Sequence, residues 1–174
     1  MLAVYLYTSN SYIFKQVNNT LSTWDMNNVW VPFINCLYKG ISSIPPYIGE
    51  VYRAIYCKFD LEAFKIGKTV QWNSFSVCSY EWKNSSDLIN KKNGVIFVIN
   101  SKTGRKISNC SKYPVDAEVI FLPGTQFTIT NHYSPSIICL GQTNIRGTTF
   151  KIKDSDYEKA LNGQASIIVE LTEV

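Results

Sequence analysis

"KYPVDAEVIFLPGTQFTI", residues 112–129, is the stretch on which the reading of this chain turns. A polar lead-in carries two acids, Asp116 and Glu118, two residues apart. An apolar run follows, then Leu-Pro-Gly, then a second alternating run from Thr125. Runs of that length, broken by Pro-Gly, read as two short strands. If the backbone is extended through the acids, residues two apart point the same way, so both carboxylates share a face. Such a pair has two readings. It is either the polar approach to a buried strand or a working pair, because like charges that close raise one pKa and suit acid/base or cation-stabilising chemistry.

Outward from this stretch the text remains strand-like back to Pro45. "EVYRAIYC" alternates, with Val51, Arg53 and Ile55 on one face and Tyr52, Ala54 and Tyr56 on the other. "TVQWNSFSVCSY" is rich in β-branched and aromatic residues and, if extended, sets Ser74, Ser76, Cys78 and Tyr80 opposite Phe75, Val77 and Ser79. "GVIFVIN", "PSIICLG", "TTFKIK" and "ASIIVELTEV" predict further strands, and "SDYEKALNG" a short helix with a capping box at Ser155 and Glu158. The first 45 residues read as helical. Ile13, Val17, Leu21 and Trp24 make one helix face, capped at Asn10 or Ser11; Phe33, Ile34, Leu37, Tyr38 and Ile41 make a second, with Pro32 in its first turn. Neither helix carries a polar cluster, so both are expected to be scaffold. Helices first and many strands after predict an α+β or two-sheet architecture and exclude a doubly wound parallel sheet. One domain is expected over 1–174, helical over 1–45 and β-rich over 46–174.

The 174 residues are 45% hydrophobic and 17% charged, a globular composition. A net charge of +4 without a Lys/Arg run gives no footing for nucleic acid. No segment has the length to span a bilayer, and the first residues lack the basic start of a signal peptide, so membrane insertion is not expected and a cytoplasmic or secreted setting both fit. Five cysteines, an odd number with no CxxC pair, favour reduced thiols over a disulfide framework, and with a lone histidine, His132, no metal site is expected. There is no GxGxxG after a strand, no GxxxxGK[ST] and no GxSxG elbow, which leaves carboxylates, hydroxyls, arginine and aromatics to carry chemistry. Arg53 stands out among these. A guanidinium keeps its charge, so on an apolar strand face it either meets a fixed anion, carboxylate or phosphate, or snorkels to water.

Taken together these segments resemble the mono-ADP-ribosyltransferases of the arginine–serine–glutamate type, with vertebrate-type enzymes as the nearest pattern. "YTSNSYIFKQVNNTL" resembles their first helix, "IPPYIGEVYRAIY" the proline turn and Tyr-Arg strand, and "VQWNSFSVCS" the strand ending in Ser-Thr-Ser. "GVIFVINSKTGRKISNCSKYPVDAEVIFLPGTQFTI" resembles a strand, a Gly-Arg-x-Ile-Ser segment and Glu-x-Glu entering a Leu-Pro-Gly-Thr turn, and "IIVELTEV" the closing strand. The resemblance implies helices packed on two abutting, mostly antiparallel sheets with an NAD cleft. It implies transfer of ADP-ribose from NAD to a protein side chain, arginine by default, with release of nicotinamide. NAD is then the co-substrate and an acceptor protein the partner.

By that resemblance Glu118 holds the ribose and stabilises a cationic transition state like that of glycoside hydrolysis. Asp116 orients the acceptor and takes its proton. Arg53 pairs with the phosphates, beside Tyr52, and the backbone at Ala54 holds the nicotinamide amide. Tyr113 matches an aromatic on the substrate-recognition loop. The chain departs from the family pattern at two further places. Val77-Cys78-Ser79 stands for Ser-Thr-Ser, so the serine that positions the glutamate is a valine, and Ser79, Ser76 or Cys78 is left to take its part. Asp116 stands where Glu or Gln is usual and reaches about 1.5 Å less far. NAD hydrolysis, a non-arginine acceptor, or a binding module with weakened catalysis are the rival expectations.

Overall fold

The computed structural model describes residues 2–9, 12–56, 64–86, 94–133, 144–145, 148–149 and 167–174. Three helices come first: α1 (Leu2–Thr8), α2 (Tyr12–Thr23) and α3 (Val31–Ser42). The short α1 went unread in the sequence, since seven residues hold too few turns for a 3.6-residue period to register. It nonetheless buries Val4 and Tyr7, three apart. In α2 Val17 is buried, with Ile13, Phe14 and Leu21 packed around the same core. Trp24 falls just beyond this helix, in the left-handed region at φ 53°, and its side chain is exposed rather than on the inner face. In α3 Ile34, Leu37 and Ile41 are buried at 3–4 spacing behind Pro32, whose missing N–H costs nothing in a first turn.

The strands are β1 (Pro46–Tyr56), β2 (Thr69–Trp72), β3 (Ser76–Ser79), β4 (Gly94–Lys106), β5 (Glu118–Phe121), β6 (Thr125–Tyr133), β7 (Asn144–Ile145), β8 (Thr148–Thr149) and β9 (Ile167–Glu173), with a one-turn helix α4 (Lys83–Ser86) after β3. Seven of them hydrogen-bond in the order β1-β3-β5-β4-β9-β6-β2, and β1 also pairs with β4. The result is two abutting arms that share β4: β1, β3 and β5 on one side, β9, β6 and β2 on the other. All pairings in this set are antiparallel except β4 with β9. This is the ADP-ribosyltransferase architecture the motifs implied.

As the shared strand, β4 is apolar on both faces. Val95, Phe97 and Ile99 enter the main core, while Ile96 and Val98 enter a smaller one with Ile168. The helices cover the β3–β5 arm through Phe75, Ile107 and Ile120. Residues 69–80, expected as one extended run, divide into β2 and β3 in different arms, with residues 73–75 crossing between them. The expected helix near Ser155 and the strand near Pro135 lie outside the described residues, and of the expected strand Thr148–Lys153 only Thr148–Thr149, β8, is described.

Two local devices set the far end of β4. The buried Glu173 carboxylate accepts from the backbone N–H of Lys102 and of Thr103 (2.8 Å) and from the Thr103 hydroxyl. Gly104 leaves room for β5, because a Cβ there would lie 2.7 Å from Val119 Cγ1 and 2.6 Å from Ser101 Oγ. From this point the chain turns into the loop that precedes Glu118.

Candidate active site

Glu118 is the first residue of β5 and pairs with Ser79 at the end of β3. The lead-in is not extended, contrary to the expectation from spacing. Residues Pro114–Asp116 form a single 3-10 turn, and Ala117 follows in the left-handed region at φ 53°, ψ 46°. Asp116 and Glu118 still line the same cleft, through this turn rather than through the two-residue repeat of a strand. The Ala117 methyl is buried and its carbonyl accepts from Tyr80 N–H (3.0 Å), so packing and a hydrogen bond hold an L-residue where it costs roughly 1–2 kcal/mol.

The cleft has a volume of about 550 Å³ and is walled by β1, β3, α4 and the start of β5. Tyr52, Arg53 and Ala54 line it from β1, and Asp116 and Glu118 from the turn and start of β5, on the other side of β3 in the strand order. The guanidinium of Arg53 sits 4.9 Å over the ring of Trp72, and its buried Nη1 has no hydrogen-bond partner among the described residues. Among the described residues no carboxylate pairs with it, and at least this nitrogen is shielded from water although the side chain is only half-buried. An unsatisfied, permanently charged donor in a cleft fits a phosphate ligand. The Tyr52 hydroxyl donates to Glu50 (2.5 Å) and its ring meets Trp82 edge-on.

A second recess of about 240 Å³ adjoins the first and shares Phe14, Val77, Asp116 and Glu118 with it. Its other walls are Tyr7, Thr8 and Tyr113. The Phe14 and Tyr113 rings, with two carboxylates, make a surface suited to a cation, and the fully buried Tyr7 backs them from the core. The N-terminal helices therefore do more than the sequence reading gave them: Tyr7 and Thr8 of α1 and Phe14 of α2 form part of the site.

Burial pushes the Glu118 carboxyl above its ordinary range. The Ser111 hydroxyl, which donates to it, pulls the other way, and the charge of Asp116 adds a smaller upward push. Ser79 does not reach that carboxylate. Its hydroxyl donates to the backbone carbonyl of Asp116 (2.8 Å) and accepts from Glu81 N–H and from the Asn84 amide, which itself donates to the Asp116 carbonyl (2.8 Å). Ser76 is turned away as well, its hydroxyl bound to Ser74 O (3.1 Å), and it lines a neighbouring hollow with Trp72 that shares Arg53 and Ile55 with the cleft. Cys78 packs in the main core, where burial pushes its thiol up to about 12. The sequence missed Ser111 and Asn84; one is a small polar residue in a polar loop and the other sits in the one-turn α4, with nothing in their spacing to mark them.

Among the described residues no group of three or more His, Cys, Asp and Glu is placed to hold a metal ion, and Cys36, Cys78 and Cys110 are free. Cys57 and Cys139 lie outside those residues.

The chain is similar to bacterial proteins. It is 30% identical over 100 residues to the NAD(+)–protein-arginine ADP-ribosyltransferase Tre1 of Serratia proteamaculans, an overlap of 57% of this chain and 21% of that protein. The chain thus spans about a fifth of the length of that relative. Among solved structures, Vis from Vibrio splendidus in complex with agmatine superposes with a TM-score of 0.68 at 17% identity, over 99% of this chain and 73% of Vis. HopU1 of Pseudomonas syringae superposes with a TM-score of 0.66 at 17% identity, over 99% and 75%. These likenesses fix the fold. The profile of one family, NAD:arginine ADP-ribosyltransferase, matches residues 1–145, and the chain belongs to that family.

Proposed function

We propose that this chain is a mono-ADP-ribosyltransferase that moves ADP-ribose from NAD to an arginine side chain of an acceptor protein and releases nicotinamide. One observation carries the reading: Arg53, with a buried guanidinium nitrogen that has no partner among the described residues, and a half-buried acid, Glu118, line one cleft from β1 and β5, the strands that flank β3. Arg53 takes the pyrophosphate, Tyr52 lines the same wall, and the Ala54 backbone stands beside it for the nicotinamide amide. NAD supplies the ADP-ribosyl group and the leaving nicotinamide. Glu118, once ionised, stabilises the positive charge that grows on the ribose as the bond to nicotinamide breaks. The bonding pair leaves with nicotinamide, and a guanidine nitrogen of the acceptor closes the new bond to the same carbon. Asp116, exposed at the mouth, takes the proton released from that nitrogen.

The acceptor reading draws on the family's arginine chemistry and on the recess where Phe14 and Tyr113 stand beside the two acids, a surface suited to a guanidinium. Vis, which shares this fold, is known with agmatine, itself a guanidinium compound. The bacterial relatives favour a toxin or effector setting over a vertebrate-type enzyme. A second reading, net hydrolysis of NAD, is favoured by the exposure of Asp116, which admits water to the acceptor side. Labelled NAD with agmatine or arginine-rich protein separates the two, since hydrolysis leaves the label on free ADP-ribose. The Glu118→Gln variant tests both: it is expected to bind NAD and to lose at least about 1000-fold in nicotinamide release, the scale of a lost electrostatic stabiliser. Turnover equal to the parent's removes Glu118 from the reaction.

A further inference from the structure

Val77 stands where the family has the serine that holds the glutamate, and among the nearby hydroxyls of β3 none is free to replace it. Ser79 is bound to the Asp116 carbonyl, and Ser76 to the Ser74 carbonyl. Val77 itself lines the cleft beside Glu118 with an apolar side chain. From these residues and the loop geometry we infer that Ser111 is the positioning residue for Glu118, supplied by the β4–β5 loop instead of by β3. This deepens the functional reading above and rests on it.

The loop is built for that contact. Ile107 O accepts from Cys110 N–H (2.9 Å) and Ser111 N–H (2.8 Å), and Ile107 N–H donates to Glu118 O (3.0 Å). One residue thus anchors the backbones of both Ser111 and Glu118, and their side chains meet across it. The Ser111 oxygen accepts from Tyr113 N–H (3.1 Å) while its proton goes to Glu118 Oε2. A hydroxyl has one proton and two lone pairs, so an N–H that engages the oxygen leaves the proton for the carboxylate. Ser111 is buried, which keeps water from taking its place. The bond fixes one carboxylate oxygen and leaves the other for substrate. It also joins the glutamate to the loop that carries Tyr113 and Asp116, so acceptor-side and ribose-side groups share one support.

The test compares Ser111→Ala, Ser111→Thr, Val77→Ser and the double variant Val77→Ser/Ser111→Ala, beside Glu118→Gln, with kcat, NAD KM, the pH profile and the melting temperature read for each. Ser111→Ala is expected to lose about 10- to 100-fold in kcat, the range of one hydrogen bond to a charged group, with NAD KM within about 2-fold. Its acid limb is expected to move to higher pH, because the donor that favoured the ionised carboxylate is gone. Ser111→Thr, which keeps a hydroxyl, and the double variant, which restores one on β3, are expected to recover most of the rate. Glu118→Gln inactive with Ser111→Ala unchanged in kcat and acid limb overturns this inference alone. A Ser111→Ala loss that tracks a lower melting temperature and is rescued by neither companion makes Ser111 merely structural and also overturns it. Glu118→Gln as active as the parent brings down the functional reading and this inference with it.

Discussion

Arg53 and Glu118 are both groups whose placement costs stability, and both were legible in the sequence for that reason. An arginine amid Val51 and Ile55 contradicts its strand face, and acids before a buried strand invite the same question. Their cost has measurable consequences. Arg53 Nη1 is buried without a partner among the described residues, so Arg53→Met removes an unsatisfied charge while keeping much of the stem that packs near Trp72. The variant is expected to melt at or above the parent's temperature yet bind NAD at least about 10-fold more weakly, the scale of a lost ionic hydrogen bond; titration calorimetry and thermal denaturation read the two halves. For Glu118 the sign follows from its raised carboxyl. The fold holds that proton more tightly than the unfolded chain does, so stability falls as pH rises from the ordinary carboxylate range through the raised value. Glu118→Gln is therefore expected to be the more heat-stable protein at neutral pH, with the gap closing toward pH 4. A gap that widens toward acid would contradict the assigned direction. Ser111 was not legible, because its contact depends on a loop closure that no local pattern encodes.

At the scale of elements, spacing misled at one point for a physical reason. Two-residue repetition places side chains on one face only in extended backbone. Pro114 presets the φ of a turn, and the chain takes a 3-10 turn and a left-handed Ala117 before the strand begins. The acids converge all the same, because Ser79 and Asn84 clamp the Asp116 carbonyl against β3. The division of residues 69–80 into β2 and β3 was equally hidden: Ser74 and Phe75 do not break an alternating pattern, and only pairing with different partners separates the two strands. Gly104 is the element-scale position whose role is easiest to probe. A methyl group there meets Val119 Cγ1 and Ser101 Oγ at distances real Cβ atoms do not show, so these side chains or the strands that carry them must shift. Gly104→Ala is expected to lower stability by about 1–3 kcal/mol, the usual toll of overpacking, read as a lower urea midpoint at unchanged slope. Because the Ser111 loop begins at the end of β4, nicotinamide release is expected to fall as well.

For the molecule as a whole, the order of helices and strands was readable because it is a one-dimensional property, whereas the way the N-terminal helices meet the site was not. Read as scaffold, they prove to touch the loop that carries the acceptor-side residues. Thr8 at the end of α1 donates to Tyr5 O (3.2 Å) and accepts from Lys112 N–H (2.9 Å), and the Lys112 ammonium donates to the Tyr5 hydroxyl (3.0 Å). Ser111, Tyr113 and Asp116 flank this tether, so the helical layer holds one side of a site whose other side belongs to the sheet. Thr8→Val preserves shape and removes the acceptor, a loss of about 1 kcal/mol from the tethered loop. The core under α1, with Val4 and Tyr7, stays intact. With the loop less fixed, Tyr113 and Asp116 hold a guanidinium less well, whereas the cleft around Arg53 is untouched. The expected result is a several-fold lower ratio of ADP-ribosylated acceptor to free ADP-ribose, with a smaller fall in total nicotinamide release, because Ser111 next to Lys112 holds Glu118 from the same loop. An unchanged ratio would return the helices to the role of scaffold and leave acceptor choice to the loop alone.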